Sequence, residues 1–292
     1  MEDVDLGSVY TWRDARGRGA RRRQIATDGI RLSRGLYLSS ALAPTLVERC
    51  RAWSEVLPQE AAFGLETAAE LYGLPTHFSP DVHAVVSPQR VLPQRRGLRV
   101  HERQLQDGDI VDLTGLRVTS PAQTFLDLAA RNSPAELVVV GDALLRTGRL
   151  TREQLAERLA RADRVRGVVP ARACTPMLSP LAMSRPESLI RYWLVASDLP
   201  DPEVQVPIHD RWGRAVAHAD LGDARWKVLL KYEGRQHADV DQFGRDIDRY
   251  SLMAADGWLT LRFAARHVGG PTVVVDRTRR ALLSRGWDPR QS

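Results

Sequence analysis

Lysine is almost missing from this chain of 292 residues: Lys227 and Lys231 are its only two among 42 basic residues, so positive charge is carried by arginine. The bias matches a GC-rich coding sequence, and it also means that any basic surface offers planar forks able to grip phosphate with two hydrogen bonds. Cysteine is scarce too. Cys50 and Cys174 lie far apart and match no zinc or redox spacing, which leaves two inert buried thiols. No apolar run approaches the length needed to span a bilayer, and the opening stretch from Met1 to Asp5 is acidic and has no apolar signal core. A cytoplasmic protein is the expectation. No internal repeat is present.

The chain does have core material, 43% of its residues being hydrophobic, and its length suits two or three domains. A formal charge of +6 points to a polyanionic partner, nucleic acid before membrane, because no amphipathic basic helix of the membrane-surface type stands out.

Eight arginines crowd the segment from Arg13 to Arg34. The segment parses as a helix from Thr11 to Arg16, a turn from Gly17 to Gly19, a second helix from Ala20 to Thr27, and a strand-like wing from Ile30 to Leu38. That is the order of a winged helix-turn-helix, whose second helix enters the major groove while flanking arginines touch phosphate. Arg18, Arg21, Arg22, Arg23, Arg31 and Arg34 are the expected DNA contacts, duplex DNA the expected partner.

Further on, Ala61 to Leu71 reads as a helix stopped by Gly73, and strands follow at Asp81 to Ser87, Leu98 to Arg103 and Ile110 to Val118. Ser120 and Pro121 start a helix that runs through Arg131. Helices from Ala135 to Thr147 and from Thr151 to Ala162 close the region. His77, His83 and His101 have no partner at ligand spacing and read as structural or surface residues. After a stretch without clear period comes a helix from Pro186 to Ala196, then strands near Glu203 to Pro207, Ala215 to Leu221 and Trp226 to Tyr232. A helix from Gln242 to Ala255, a strand from Trp258 to Phe263 and a helix from Pro271 to Arg285 complete it. The fold class expected is α+β, mixed α/β: a winged helix at residues 1–40, an α+β module at 41–165, a linker at 166–184, and a mixed sheet flanked by helices at 185–292.

The candidate chemistry lies in the last part. Asp220 sits in a strand-like run, Val216-Ala-His-Ala-Asp220-Leu221, where an aspartate needs a reason. Glu233 ends the apolar run Val228-Leu-Leu-Lys-Tyr just before Gly234, and His237 follows on the loop. Two acidic oxygens on neighbouring strands can hold Mg²⁺ against a phosphate, although these two need a bulge or twist to converge. Glu187 and Arg191 share a helix face, which as a surface ion pair contributes little.

These residues resemble the very-short-patch-repair-like branch of the PD-(D/E)XK endonuclease superfamily, seen as a C-terminal, restriction-endonuclease-like domain in actinobacterial proteins. The resemblance runs from Ser184-Arg-Pro-Glu187-Ser-Leu-Ile-Arg191 through Asp201-Pro-Glu-Val-Gln-Val-Pro207, Ala219-Asp220-Leu221 and Lys231-Tyr-Glu-Gly-Arg-Gln-His237 to Arg245-Asp246-Ile-Asp-Arg249 and Gly257-Trp258-Leu-Thr-Leu-Arg262. The earlier part is similar to the regulator module of type IV abortive-infection antitoxins (AbiEi-like), through the winged-helix segment, Ala68-Ala-Glu-Leu-Tyr-Gly-Leu-Pro75 and Val118-Thr-Ser-Pro-Ala-Gln-Thr-Phe-Leu-Asp-Leu128. The nuclease resemblance implies Asp220 and Glu233 as Mg²⁺ ligands, Glu187 as the acid of the first helix, and His237 as a proton-transfer group. Relatives commonly read Glu-Tyr-Asp-Gly where this chain has Lys231-Tyr-Glu-Gly, and that lysine leaves two readings open. It repels Mg²⁺, as in a degenerate nuclease kept for binding; yet the repair endonucleases also lack an acid there. The expectation is therefore a DNA-binding protein with a metal-dependent endonuclease-like domain. The alternatives are a non-enzymatic DNA-binding transcriptional regulator and an antitoxin whose partner is a separate toxin protein.

Overall fold

The Thr11 hydroxyl accepts the Asp14 N–H at 3.2 Å and so caps the first helix, α1 (Trp12–Gly17), directly after a short strand, β1 (Val9–Thr11). A turn through Gly19 leads to α2 (Arg22–Asp28), and β2 (Gly29–Ser33) with β3 (Leu36–Ser39) forms the wing. The three strands lie antiparallel in the order β1-β3-β2. Leu6, Tyr10, Ala15, Ala20 and Ile25 fill the small core, with Tyr37 stacked on Tyr10 at 5.5 Å. The expected winged helix is present; β1, too short to show a period, closes its sheet.

The structure is a computed structural model that describes residues 4–88, 92–209, 212–234 and 250–290. Two units are distinguished, Met1–Arg131 with Gln154–Val168, and Asn132–Glu153 with Val169–Ser292.

In the first unit the winged helix is followed by α3 (Leu46–Ser54), capped by Thr45 and not legible beforehand, and by a five-stranded mixed sheet. Its strands are β4 (Ala62–Phe63), β5 (Val82–Val86), β6 (Leu98–Glu102), β7 (Ile110–Leu113) and β8 (Leu116–Thr119), in the order β6-β5-β4-β8-β7. The run from Ala61 to Leu71 is not one helix. Ala62 and Phe63 pair with Val85 and Ala84, Gly64 breaks the run, and α4 (Leu65–Leu71) takes the rest. The run from Ile110 to Val118 is likewise two strands, folded back at Thr114 and Gly115, whose φ angles of 54° and 82° suit a two-residue hairpin turn. Ser120 caps α5 (Pro121–Ala129), buried from Ala122 onward.

Asp109, 1% exposed, is the charged centre of this unit. Arg161 reaches it with Nη2 at 2.8 Å and Arg158 with Nε at 3.2 Å, and Arg158 also donates to Gln123 Oε1 at 2.7 Å. Burial pushes the Asp109 carboxyl up, but the hydrogen bonds from Arg161 and the Gln106 N–H, with the two guanidinium charges, prevail and hold it below the usual carboxylate range.

The second unit carries α6 (Pro134–Arg146), a helix α9 (Arg185–Val195) and a four-stranded sheet of β9 (Glu203–His209), β10 (Ala215–Asp223), β11 (Val228–Glu233) and β12 (Leu259–Ala264). In the sequence between these two helices come α7 (Arg152–Ala160), most of which belongs to the first unit, and α8 (Val168–Cys174). The sheet order is β12-β11-β10-β9, parallel only between β11 and β12. One face packs Leu221, Val228, Leu230 and Phe263 against Ile190, Leu194 and the C-terminal helix Pro271–Ser284; the other packs Val206, Ala219 and Leu229 against Met253. The α+β class and the helix-flanked mixed sheet are thus as expected.

Residues 166–184, expected as a linker, hold α8 and a 3-10 turn at Thr175–Met177. Val168, Ala171, Cys174 and Leu178 are buried at helical spacing, which intervening arginine and proline hide in the sequence. The Glu187–Arg191 ion pair is not made. Arg191 turns instead to the fully buried Asp142 on α6, with Nη2 at 2.9 and 2.8 Å from the two carboxylate oxygens, and the Ser179 N–H donates to the same carboxylate at 2.7 Å. Burial is the largest influence on Asp142 and raises its carboxyl pKa despite these partners.

Asp142→Ala leaves a guanidinium buried and unpaired, a change that typically destabilises by about 3–5 kcal/mol. We expect a fall of that order in urea denaturation of the whole chain, and a smaller one for Asp142→Asn, which keeps an acceptor. A loss under about 1 kcal/mol for Asp142→Ala would show that water reaches Arg191.

Candidate functional site

Asp220 stands where the sheet changes side. Gln205, opposite it on β9, has a φ of 56°, and no register pair joins the two. On either side of this break Val204 and Leu221 pack to one face of the sheet, Val206 and Ala219 to the other. Such a conformation in a residue other than glycine is strained, and strain of this kind gathers at functional sites. The ladder of β10 with β11 ends at the pair Leu221 and Leu230, and the next backbone donor, the Tyr232 N–H, is taken by Asp220 Oδ2 at 2.7 Å. Gly222 permits the close approach just before the ladder ends, since a Cβ there would stand 2.8 Å from the Val228 carbonyl oxygen.

Glu187 is buried in the first turn of α9. Its carboxylate accepts the Met183 N–H at 2.9 Å and the Ser184 hydroxyl at 2.8 Å, while the Ser184 oxygen caps the helix. Burial raises its pKa, and the Asp220 charge pushes in the same direction, so these two acids feel each other across helix and strand.

Glu233 is committed elsewhere. It accepts hydrogen bonds from the Tyr250 hydroxyl and from Arg262 Nε at 3.1 Å, and the Arg262 guanidinium lies over the Tyr250 ring at 4.7 Å. Burial acts to raise its pKa, but Tyr250, Arg262 and the nearby Lys231 outweigh it and lower the carboxyl below its usual range. Lys231 is half-buried, in register with Arg262 on β12. His237, the segment Arg245 to Arg249 and most of the expected helix from Gln242 lie outside the described residues.

The structure therefore brings Glu187 and Asp220 within electrostatic reach and joins Glu233 to Lys231 and Arg262. Among the described residues no group of three or more His, Cys, Asp or Glu side chains is placed to hold a metal ion. Mg²⁺ demands several ionised or carbonyl oxygens in near-octahedral array. A Glu187 held by the Met183 N–H and the Ser184 hydroxyl and a Glu233 closed by a guanidinium do not fit that demand.

The winged helix presents a different surface. Arg18, Arg21, Arg22, Arg23, Arg31 and Arg34 are all exposed, together with Arg13 and Arg16. Sequence reasoning did not find Arg95 and Arg96, exposed on a turn before β6 and lining the same cleft of about 1180 Å³ as Arg13, Arg31 and Arg34. The doublet Arg95-Arg96-Gly97 was the available signal. A polar cluster in the first unit also escaped notice. His83, 4% exposed, meets His101 Nε2 at 3.0 Å through Nδ1 and the Ser79 hydroxyl at 3.0 Å through Nε2. Burial, with the neighbouring His83 and arginines, drives the His101 pKa down to about 4. The two histidines meet across paired strands, which sequence spacing does not reveal. No helix among the described residues is long and apolar enough to cross a membrane.

Asp220→Ala leaves the Tyr232 N–H without its acceptor at the strand break, which should destabilise by about 1–3 kcal/mol, with Asp220→Asn close to wild type. Chemical denaturation measures both. Equal losses for the two variants would mean that the carboxylate's charge, rather than its acceptor oxygen, is what the break requires.

Residues 60–175 match the family model described as the AbiEi antitoxin C-terminal domain. Two proteins of Mycobacterium tuberculosis, uncharacterized protein MT2308 of strain CDC 1551 / Oshkosh and uncharacterized protein Rv2248 of strain ATCC 25618 / H37Rv, are each 30% identical to this chain over 237 residues, 80% of it and 85% of theirs. The solved structure of the RV2827C protein from Mycobacterium tuberculosis is similar over 63% of this chain and 76% of its own, at 18% identity and a TM-score of 0.44. Aligned with MT2308 and Rv2248 over most of both lengths, the chain belongs to their family, and it carries an AbiEi antitoxin C-terminal domain at residues 60–175.

Proposed function

We propose that the chain is a cytoplasmic, DNA-binding regulator of the antitoxin type, which grips duplex DNA through α2 and the wing and has a separate toxin protein as its second partner. The observation that carries the DNA half is the exposure of Arg18, Arg21, Arg22, Arg23, Arg31 and Arg34 on one small helix-turn-helix and its hairpin. The match at residues 60–175 supports the antitoxin half. Arginines at the start of a recognition helix and on a wing neutralise phosphates, and each contact releases a counterion, so binding weakens with salt.

Replacing Arg21, Arg22 and Arg23 with alanine should weaken duplex binding and flatten the plot of log K against log salt by up to about 0.9 per lost contact. Fluorescence anisotropy over a salt series reads both. An unchanged slope would remove α2 from the interface.

A second reading, phosphodiester hydrolysis with Mg²⁺ at Asp220 and Glu233, with Glu187, Lys231 and His237 beside them, is favoured by the strained break at Asp220. The commitment of Glu233 to Arg262 and Tyr250 weighs against it. The regulator reading expects supercoiled plasmid to stay intact with wild-type protein in Mg²⁺ or Mn²⁺. Cleavage that disappears in Asp220→Ala would instead establish the hydrolase.

A further inference from the structure

We infer that the cleft between the wing and the Arg95–Leu98 turn is a second phosphate-binding site, which holds the backbone of the nucleic acid gripped by the winged helix. It rests on the DNA-binding reading and extends the interface beyond α2 and the wing to a loop of the adjoining sheet.

The first ground is composition. Arg13 from α1, Arg31 and Arg34 from the wing, and Arg95 and Arg96 from the turn all line the cleft of about 1180 Å³, and among the described residues no Asp or Glu does. Around the adjoining sheet several guanidinium groups do face a carboxylate: Arg99 meets Asp81, Arg103 meets Asp127, Arg131 meets Glu66, and Arg158 and Arg161 meet Asp109. Five like charges around one concavity repel one another, and a concave surface focuses their field outward, which favours an anionic occupant.

The second ground is that the turn is fixed in place. The Leu98 N–H closes it on the Arg95 carbonyl at 3.2 Å, and Gly97 sits at a φ of 84°, which suits glycine at the third position of a type II turn. A Cβ on Gly97 would lie 3.6 Å from the buried Trp53 ring and 3.7 Å from the Leu32 carbonyl oxygen of the wing, so the turn rests on core and wing together. Arg95 then reaches across to donate to the Arg34 carbonyl at 2.9 Å. That bond orders one arm of the Arg95 fork and leaves the other nitrogens to an incoming oxygen, so less side-chain entropy is lost on binding.

The ligand class follows from the lining. Guanidinium forks select phosphate or carboxylate oxygens, and a cleft this large with cations along both walls takes a string of them rather than one. Trp12, at its edge, gives an aromatic surface for a sugar or base. A second cleft of about 620 Å³ shares Gln94, Arg95 and Arg96 with the first, and its one carboxylate among the described residues, Asp81, is held by Arg99.

The test uses the full chain, a labelled duplex of about 20 base pairs and the matching single strand, with anisotropy measured over a salt series for the Arg95→Gln/Arg96→Gln double variant, for Arg96→Glu alone, and for the Arg21, Arg22 and Arg23 alanine variant. We expect the double variant to bind at least tenfold more weakly, with a salt slope shallower by about 1 to 2, on the strand form that wild type prefers. Arg96→Glu should do at least as much, with no fall in melting temperature, since Arg96 is exposed. Wild-type affinity and slope in both cleft variants would overturn the inference, while the regulator reading would stand if the α2 variant is weakened. Loss in the cleft variants alone would leave the cleft as the site and remove α2. Wild-type protein that binds neither strand form would overturn both.

Discussion

A guanidinium inside this protein has to be met by a carboxylate, and the fold is arranged around where that happens. Asp142 and Arg191 join α6 to α9 by a two-oxygen bridge, and Asp109 collects Arg158 and Arg161. With two lysines in the whole chain, arginine has to serve this buried role as well as any surface one. It is suited to both, because the planar fork loses less on desolvation than an ammonium and fixes the angle of its partner. The penalty for breaking such a pair comes from the charge left behind rather than from the attraction itself, so the bridges specify one packing of helices more than they add net stability.

The same rule marks out the surface that departs from it. Several arginines of the first unit's sheet and helices face a carboxylate, whereas Arg13, Arg31, Arg34, Arg95 and Arg96 line a cleft that holds no Asp or Glu among the described residues. A protein that can pair its guanidinium groups and leaves a coherent set facing a concavity spends stability there through self-repulsion.

Legibility in the sequence followed the range of the determining interaction. The winged helix, the cap at Ser120, and the apolar strand Val228–Glu233 depend on residues a few positions apart, and all could be read directly. The break at Gly64 could not, because Ala62 and Phe63 become a strand only through Val85, Ala84 and Val118, far along the chain. The helix at Val168–Cys174 was hidden by the half-buried Pro170 and exposed Arg172 between its buried positions. Arg191 was misassigned for a related reason: Glu187 at i−4 is the local partner, but Ser184 and Met183 already hold that carboxylate, and Asp142 waits on another helix. His83 and His101 meet only because β5 and β6 lie side by side.

The carboxylates singled out by motif show how far residue type alone can carry a functional argument. Each of the three described acids has a structural task in this fold: Glu187 holds the start of α9, Asp220 takes the backbone donor that a parting strand leaves free, and Glu233 neutralises Arg262. None of these tasks needs a metal, and each explains why an acid stands at that position in an otherwise apolar neighbourhood. Lys231 fits the same logic, since a cation beside Glu233 favours the ionised form that Arg262 binds and disfavours a second cation arriving from solvent. A sheet whose acids are bound internally is still a rigid platform. What it lends to function is then its place in the chain that carries the arginine cleft, and chemistry at Asp220 would first require the Glu233–Arg262 clamp to open.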